Sequence, residues 1–307
     1  MMINLPRQNV RRALLAITIA YSFIVFGYSQ QPKTSGGSLD DVRLPGYFSR
    51  FSKNDVFAAV FADFDKSTGR VPHILDKQKQ PSLVRLDQAR LWLSGGQNYL
   101  VVMIDLGGYD EQFGIPVLCG NCLSASPIAV LRAVGDRLEL VAKQDDDFYQ
   151  SLNGEDRSTS YEAFWYTGHD YDVTFDLAPY RLNNKELLIG VRYQHMWVPA
   201  TSFSTTLLLY RIEGNRISKV FEDLVVDRSW QNGPARHLKM EKTTSVLMSV
   251  PTKGPFNQLV AVRKTHKCIA NRDTYDCVGG ALLKTYRETW QFDGTRFVKT
   301  GNNERED

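Results

Sequence analysis

The sequence predicts an all-β fold made of repeated four-stranded antiparallel units, with a period of about 80 residues. The first observation is that three stretches share the pattern Gly-x-Arg-apolar, and their glycines, Gly135, Gly214 and Gly294, lie 79 and 80 residues apart. The second is that apolar residues alternate on both sides of each glycine, which is typical of strands that bury one face. The third is that helical spacing of apolar residues is nearly absent after residue 62.

Each of these glycines is predicted to lie at the tip of a β-hairpin. A two-residue hairpin loop needs a positive φ angle, which Gly, Asn and Asp tolerate best. Gly135-Asp136 and Gly214-Asn215 supply such pairs, whereas the third turn could centre on Asp293-Gly294 or on Gly294-Thr295. Three such turns at nearly equal spacing are explained better by a repeat than by chance.

Residues 1–29 have the features of a secretory signal peptide. Three arginines and no acidic residue accompany an apolar run from Ala13 to Phe26, which is shorter than the ~20 residues needed to span a bilayer. Gly27 and Ser29 then supply the small residues that a signal peptidase requires, and an uncleaved N-terminal anchor is the alternative. We therefore expect a periplasmic or secreted protein with no membrane span after cleavage.

Cleavage after residue 29 would leave a formally neutral chain, because the removed segment carries three positive charges and the whole chain carries +3. A neutral chain has no broad basic surface for nucleic acid or anionic lipid. Nucleic acid is therefore excluded as an expected partner.

The rest of the chain divides into four parts. Residues 30–46 form a polar lead that is expected to be disordered. Residues 47–83 form an N-terminal segment that could supply part of a further unit, and Ser52 begins either a short capped helix or a strand within it. Residues 84–301 form the three-unit β-repeat domain, and residues 302–307 form a polar tail.

Four antiparallel strands per unit suggest the blades of a β-propeller, and stacked sheets or a β-sandwich are the alternative. A propeller blade needs only ~45 residues, so the surplus is predicted to lie in long connections. The predicted strands cover residues 91–93, 99–106, 128–134 and 138–142 in the first unit, 173–177, 187–193, 206–212 and 217–221 in the second, and 245–250, 259–265, 282–292 and 297–299 in the third.

Residues 290–297 read Trp-Gln-Phe-Asp-Gly-Thr-Arg-Phe. This Trp-x-Phe-Asp-Gly-x-x-Phe hairpin resembles the strand–turn–strand ending of uncharacterised exported bacterial proteins with β-rich or propeller-like folds. The resemblance covers one short segment and implies export and a β-rich fold. It brings no catalytic residues with it.

The four cysteines form two close pairs, Cys119 with Cys122 and Cys268 with Cys277. In an oxidising compartment this spacing predicts two local disulfides. A redox role for Cys119 and Cys122 is less favoured, because no helix follows to lower a thiol pKa. A four-cysteine zinc site is also less favoured, because the two pairs are far apart in the sequence.

No catalytic, metal or cofactor motif stands out. The five histidines lack the spacing of metal-binding pairs, and the common serine-nucleophile signatures are absent. We therefore expect no metal and no cofactor, and the sequence favours a protein that is not an enzyme.

The segment from Asp145 to Asp172 is unusually rich in aromatic and acidic residues. Aromatic rings beside carboxylates suit sugars, which present apolar faces and hydroxyls, and they also suit cations. The alternative is that these aromatics only cover the ends of the sheet. The candidate ligand-binding residues are Trp165, His169, Asp170, Asp172, Trp197 and Trp230.

The expected function is that of an exported binding or envelope-associated module without catalysis. Its expected partner is a carbohydrate or another component of the cell envelope. One alternative is an exported carbohydrate-active hydrolase that uses two carboxylates about 5–10 Å apart. The other is a purely structural or interaction protein, and nothing in the sequence fixes the oligomeric state.

Overall fold

The computed structural model describes residues 42–74, 81–107, 127–144, 171–197, 202–231, 239–270 and 277–306. These residues form a 3-10 helix at Gly46–Arg50, one α-helix and thirteen strands that belong to one sheet, which confirms the all-β prediction. The elements are α1 (Lys53–Val60), β1 (Arg70–Ile74), β2 (Pro81–Ser94), β3 (Gln97–Gly107), β4 (Ile128–Val134), β5 (Arg137–Lys143), β6 (Tyr171–Asp176), β7 (Ile189–Trp197), β8 (Ser202–Glu213), β9 (Arg216–Gln231), β10 (Lys239–Val250), β11 (Gln258–Ala270), β12 (Cys277–Phe292) and β13 (Phe297–Glu306).

The strands form three antiparallel layers, in each of which neighbours in sequence are neighbours in the sheet. The first layer is β2–β5, the second is β6–β9 and the third is β10–β13. One parallel bridge between Lys143 and Arg216 connects the first layer to the second. Residues 226–231 of β9 pair with residues 239–244 of β10 and connect the second layer to the third. The order of the described strands runs from β1 to β13 without closing into a ring.

The three glycines of the sequence pattern lie at hairpin tips between β4 and β5, β8 and β9, and β12 and β13. Gly135, Gly214 and Gly294 have φ angles of 57°, 62° and 111°, a region that side chains rarely adopt. The third turn differs from a two-residue loop, because Phe292 pairs with Phe297 and four residues lie between them. The Asp293 carboxylate closes this turn by accepting hydrogen bonds from the backbone N–H groups of residues 295 and 296, at 2.8 and 2.9 Å.

Helix α1 settles the choice that the sequence left open between a helix and a strand. The Ser52 hydroxyl accepts a hydrogen bond from the Asp55 N–H at 3.2 Å, and the Asp55 carboxylate accepts one from the Ser52 N–H at 2.9 Å. This capping box satisfies two N–H groups that otherwise lack partners at a helix start. The helix buries Val56, Phe57 and Val60 against the first layer.

We expect the substitution Ser52→Ala to lower the free energy of unfolding by about 1 kcal/mol, because it removes the hydroxyl that caps the helix. The loss should be largest near neutral pH. Hydrogen bonds from Ser52 lower the pKa of Asp55 in the folded chain. Their contribution to stability is therefore present above the pKa that Asp55 has in the unfolded chain, and it disappears as the pH falls through the folded pKa. Urea unfolding measures the change. Asn54→Ala is the control, because Asn54 is exposed in the same turn of the helix, and equal losses in both variants would contradict the role of the cap.

Three apolar clusters fill the spaces between the helix and the three layers and pack them together. Because successive side chains of a strand point to opposite faces, each layer contributes to the clusters on both of its sides. The first cluster joins the helix to the first layer, the second joins the first and second layers, and the third joins the second and third layers. Representative members are Phe48, Phe57, Leu100, Val102 and Leu131 in the first, Val101, Met103, Val173, Ile189 and Tyr210 in the second, and Leu188, Leu209, Phe221, Leu259 and Trp290 in the third.

Side-chain amides join the edges of neighbouring layers. Gln88 lies at a bulge in β2, and its buried amide donates to the carbonyl of Val173 and accepts from the N–H of Phe175 at 3.2 Å. Asn257 has the corresponding position between the second and third layers, because its side chain and its N–H both donate to carbonyls at residues 181 and 182. These contacts satisfy edge groups that a buried sheet edge would leave unpaired.

Candidate functional site

The strands of the second and third layers have two ends, and the short connections between strands lie at one of them. Three short connections, at residues 214–215, 251–257 and 293–296, lie at one end, which we call the turn end. At the other end, which we call the loop end, β6, β8, β10 and β12 begin and β7, β9, β11 and β13 finish. Tyr171, the first described residue after residue 144, therefore lies at the loop end.

The first layer meets the second at one parallel bridge. Strand β5 runs parallel to β9, and Lys143, the last residue of β5, pairs with Arg216, the first residue of β9. Strands β2 and β3 continue past the level of Lys143. The loop end is therefore defined by the strands of the second and third layers alone.

The structure places the backbone of three predicted site residues at the loop end. Asp172 is the second residue of β6, Trp197 is the last residue of β7, and Trp230 is the next-to-last residue of β9. Trp197 pairs with Ser202, which pairs with Ser229, so Trp197 and Trp230 are separated by one intervening strand. From strand spacings, the three backbone positions span about 20 Å.

The other predicted site residues, Trp165, His169 and Asp170, lie outside the described ranges, as do Cys119 and Cys122. Of the second cysteine pair, Cys268 is buried opposite Gly280, and Cys277 lies opposite Ala270. The two cysteines thus occupy diagonal positions in the β11–β12 pair. Both disulfides stay predictions.

A buried ion network lies between the second and third layers, and the sequence analysis did not find it. The Arg263 guanidinium on β11 binds the carboxylates of Asp223 on β9 and Glu288 on β12, and Lys299 on β13 also binds Glu288. Burial raises the pKa of Glu288, but hydrogen bonds from Lys299 and Arg263 outweigh burial and lower it. The sequence does indicate the ion network at one point. In Leu259-x-Ala261-x-Arg263, a charged residue occupies an alternating position that is otherwise apolar.

A second buried cluster fixes the start of the connection between β6 and β7. Asp176 accepts hydrogen bonds from Arg192 at 2.7 Å and from the Tyr180 hydroxyl at 2.9 Å. Burial, together with the charge of Asp176, raises the pKa of Tyr180 well above its ordinary value. The phenol therefore stays protonated and acts as a hydrogen-bond donor that holds the chain.

Four described carboxyl groups have a pKa that their surroundings lower, which is the opposite of what a general acid needs. A general acid needs a raised pKa, so that it carries a proton near neutral pH. Hydrogen bonds lower the pKa of Asp55 and of Asp293, and hydrogen bonds from Ser67 and Thr68 lower that of Asp65 to about 2. Glu288 also has a lowered pKa, so every resolved carboxyl shift in these ranges favours the ionised form.

A shallow cavity of about 340 Å³ lies beside the tips of the first layer's hairpins. The Arg50 guanidinium fixes its edge by donating to the carbonyl of Gly135 at 2.6 Å and to the Tyr47 hydroxyl at 2.7 Å. An exposed tyrosine ring and two amides could bind a small polar ligand, but no carboxylate is available for hydrolysis. The residues that line the cavity are Tyr47, Gln97, Asn98, Arg132, Ala133 and Val134.

Within the described ranges, no group of three or more His, Cys, Asp or Glu side chains lies close enough to hold a metal ion. No helix in these ranges combines the length and the apolar character needed to cross a membrane. Comparison with protein-family models, with curated proteins and with solved structures finds no match to this chain.

Proposed function

We propose that this chain is an exported, non-catalytic binding module of the cell envelope whose ligand binds at the loop end of the second and third layers. The observation that carries the proposal is that the backbone positions of Asp172, Trp197 and Trp230 lie within about 20 Å of one another at the loop end. Loops that a rigid sheet holds in place are common positions for binding residues. Three positions that the aromatic and acidic pattern selected, at residues 172, 197 and 230, lie at this end.

The proposed ligand is a carbohydrate or a cell-wall fragment. Aromatic rings stack against the apolar faces of sugars, and carboxylates accept hydrogen bonds from their hydroxyls. Trp165, His169 and Asp170 belong to the segment that enters β6 at the loop end, so they would join Asp172 in the site. In this proposal the layers act as propeller-like blades that present the loops, and the predicted disulfide between Cys268 and Cys277 lies at the loop end.

The hydrolase alternative gains no support from the described carboxyl groups, because their resolved pKa shifts all favour ionisation. A purely structural role predicts that no ligand binds at the loop end. The cavity beside Tyr47 is a different position for a ligand, and an experiment can separate it from the loop end.

The test is a binding screen of the full chain against glycans and cell-wall fragments, repeated with Trp165→Ala. We expect at least one ligand, and we expect Trp165→Ala to weaken its binding by about tenfold or more, because central aromatic residues dominate binding interfaces. Thermal unfolding of each variant shows whether the fold is retained. Release of a sugar product during incubation would favour the hydrolase alternative.

Tyr47→Ala is the matched control, because it removes an exposed aromatic ring (55% exposed) beside the hairpin tips of the first layer. This variant should bind as tightly as the wild type. Loss of binding in Tyr47→Ala with retention in Trp165→Ala would move the site to the cavity. Absence of any ligand would support the structural role.

A further inference from the structure

The third layer has an outer face that points away from the second layer. Leu259, Ala261 and Trp290 point inward, because they belong to the cluster shared with the second layer. Side chains alternate along a strand, so the residues between them point outward. The first layer's corresponding outer face is covered by α1, whereas no described helix covers that of the third layer.

Several exposed apolar side chains lie on this outer face. Val246 is 60% exposed, Met248 45% and Val298 41%. Val260 is buried between Met248 and Thr289, its partners on the two neighbouring strands. Exposed apolar residues clustered on one face of a sheet are unusual unless the face meets a partner.

Two basic side chains lie on the same outer face. Lys264 on β11 and Arg287 on β12 are exposed, and neither makes an ion pair within the described ranges. The residues in register with Lys264 are Thr244 and Thr285, so no carboxylate lies opposite it.

The acidic residues of the third layer's strands lie on its inward side. Glu241 and Glu288 occupy inward positions, and Glu288 is bound by Arg263 and Lys299. Glu304 and Glu306 pair in register with positions 286 and 284, which also belong to the inward side. The described residues of the outer face therefore include no acid. A chain that is formally neutral after residue 29 thus has one distinctly basic face.

We propose that the outer face of the third layer binds the surface of an anionic lipid bilayer. A bilayer surface is flat, carries phosphate groups at its headgroups, and accepts apolar side chains just below them. A soluble polyanion would match Lys264 and Arg287 but would leave Val246 and Met248 exposed. A second copy of the chain in face-to-face contact would bring no described carboxylate to Lys264 and Arg287. The proposal does not depend on the ligand of the loop end.

The test is co-sedimentation with two kinds of vesicles. It uses the protein that cells produce from the full gene sequence, with any processing that they carry out. Vesicles of phosphatidylcholine with phosphatidylglycerol should bind the protein, and vesicles of phosphatidylcholine alone should not. Salt should weaken the binding. We expect Lys264→Glu with Arg287→Glu to weaken it by about 30-fold, because each cation near an anionic bilayer contributes about fivefold. Val246→Ser with Met248→Ser should weaken it by about tenfold.

Lys66→Glu with Lys185→Glu is the matched control, because both lysines are exposed in turns outside the third layer and the charge change is the same. This variant should bind anionic vesicles like the wild type. Equal losses in the control and test variants, equal binding to neutral vesicles, or binding to heparin without binding to vesicles would each overturn the proposal. Melting temperatures of all the variants exclude loss of folding as the cause.

Discussion

Gly190→Ala is expected to lower the free energy of unfolding by about 3 kcal/mol, the upper part of the usual range for overpacking. A Cβ atom at Gly190 would lie 2.2 Å from the backbone oxygen of Asp176 and 3.0 Å from the ring of Tyr180. Neither group can move freely, because Asp176 is paired with Gly190 in the β6–β7 ladder and its carboxylate holds Arg192 and Tyr180. Urea unfolding measures the loss.

Gly301→Ala is the matched control for this substitution. Gly301 also lies in a strand, but the nearest atom to its added Cβ is in Thr289, at an ordinary contact distance of 3.8 Å. We expect the control to change the free energy of unfolding by less than about 0.5 kcal/mol. If both alanine variants lower the free energy of unfolding equally, the cause is the replacement of glycine in a strand and not the clash with Asp176 of β6.

Glu288→Gln is the second substitution with a large expected effect, a loss of about 3 kcal/mol at neutral pH. Glu288 is only 5% exposed and is the carboxylate that Arg263 and Lys299 share. Removal of one partner from a buried ion pair leaves the other charge without its compensation. Lys299 can turn to solvent, but Arg263 is buried, and it would lose the charge of Glu288 while it keeps that of Asp223.

The same network predicts the pH dependence of stability. Because the ion pairs lower the pKa of Glu288 despite its burial, its contribution is present above the pKa of the unfolded chain, about 4.3, and disappears as the pH falls through the folded pKa. The wild type should therefore lose more stability in acid than Glu288→Gln does. Denaturant unfolding across the acidic range compares the two slopes. Parallel slopes would show that Glu288 has an ordinary pKa.

Arg263→Met with Glu288→Leu tests whether the lost stability comes from an uncompensated charge. Replacement of both members of a buried pair by apolar residues is often neutral, whereas loss of one member is not. The double variant should therefore be more stable than Glu288→Gln. If it is less stable, the pair itself contributes more than its desolvation costs.

The local features of this fold could be predicted from the sequence. Tips at Gly135 and Gly214 follow from the need for a positive φ angle, and the strands follow from their alternating apolar residues. The length of the third turn was harder to predict. There the Asp293 side chain closes a longer loop with hydrogen bonds to the backbone, and such bonds compete with a two-residue turn. The eight residues of α1 are too few to distinguish a helix from a strand by period alone.

Contacts between distant segments could not be predicted in this way. Gln88 joins two layers because a bulge in β2 brings its amide to the edge of β6, and no local pattern reveals that partner. The cavity beside Tyr47 is likewise built from segments far apart in the sequence. The ion network gives a partial signal, because Arg263 interrupts an apolar face, but the positions of Asp223 and Glu288 depend on how the layers stack.

The pairing order of the strands has a consequence for how the chain folds during synthesis. Every antiparallel pair of the described strands joins two strands that follow each other in the sequence. The parallel bridge from β5 to β9 is the one described pair of strands that does not. Short sequence separation reduces the entropy lost when two strands meet. We therefore expect a chain that emerges N-terminus first to complete α1 and the first layer before β6 exists. Each finished layer then offers an apolar face on which the next can condense.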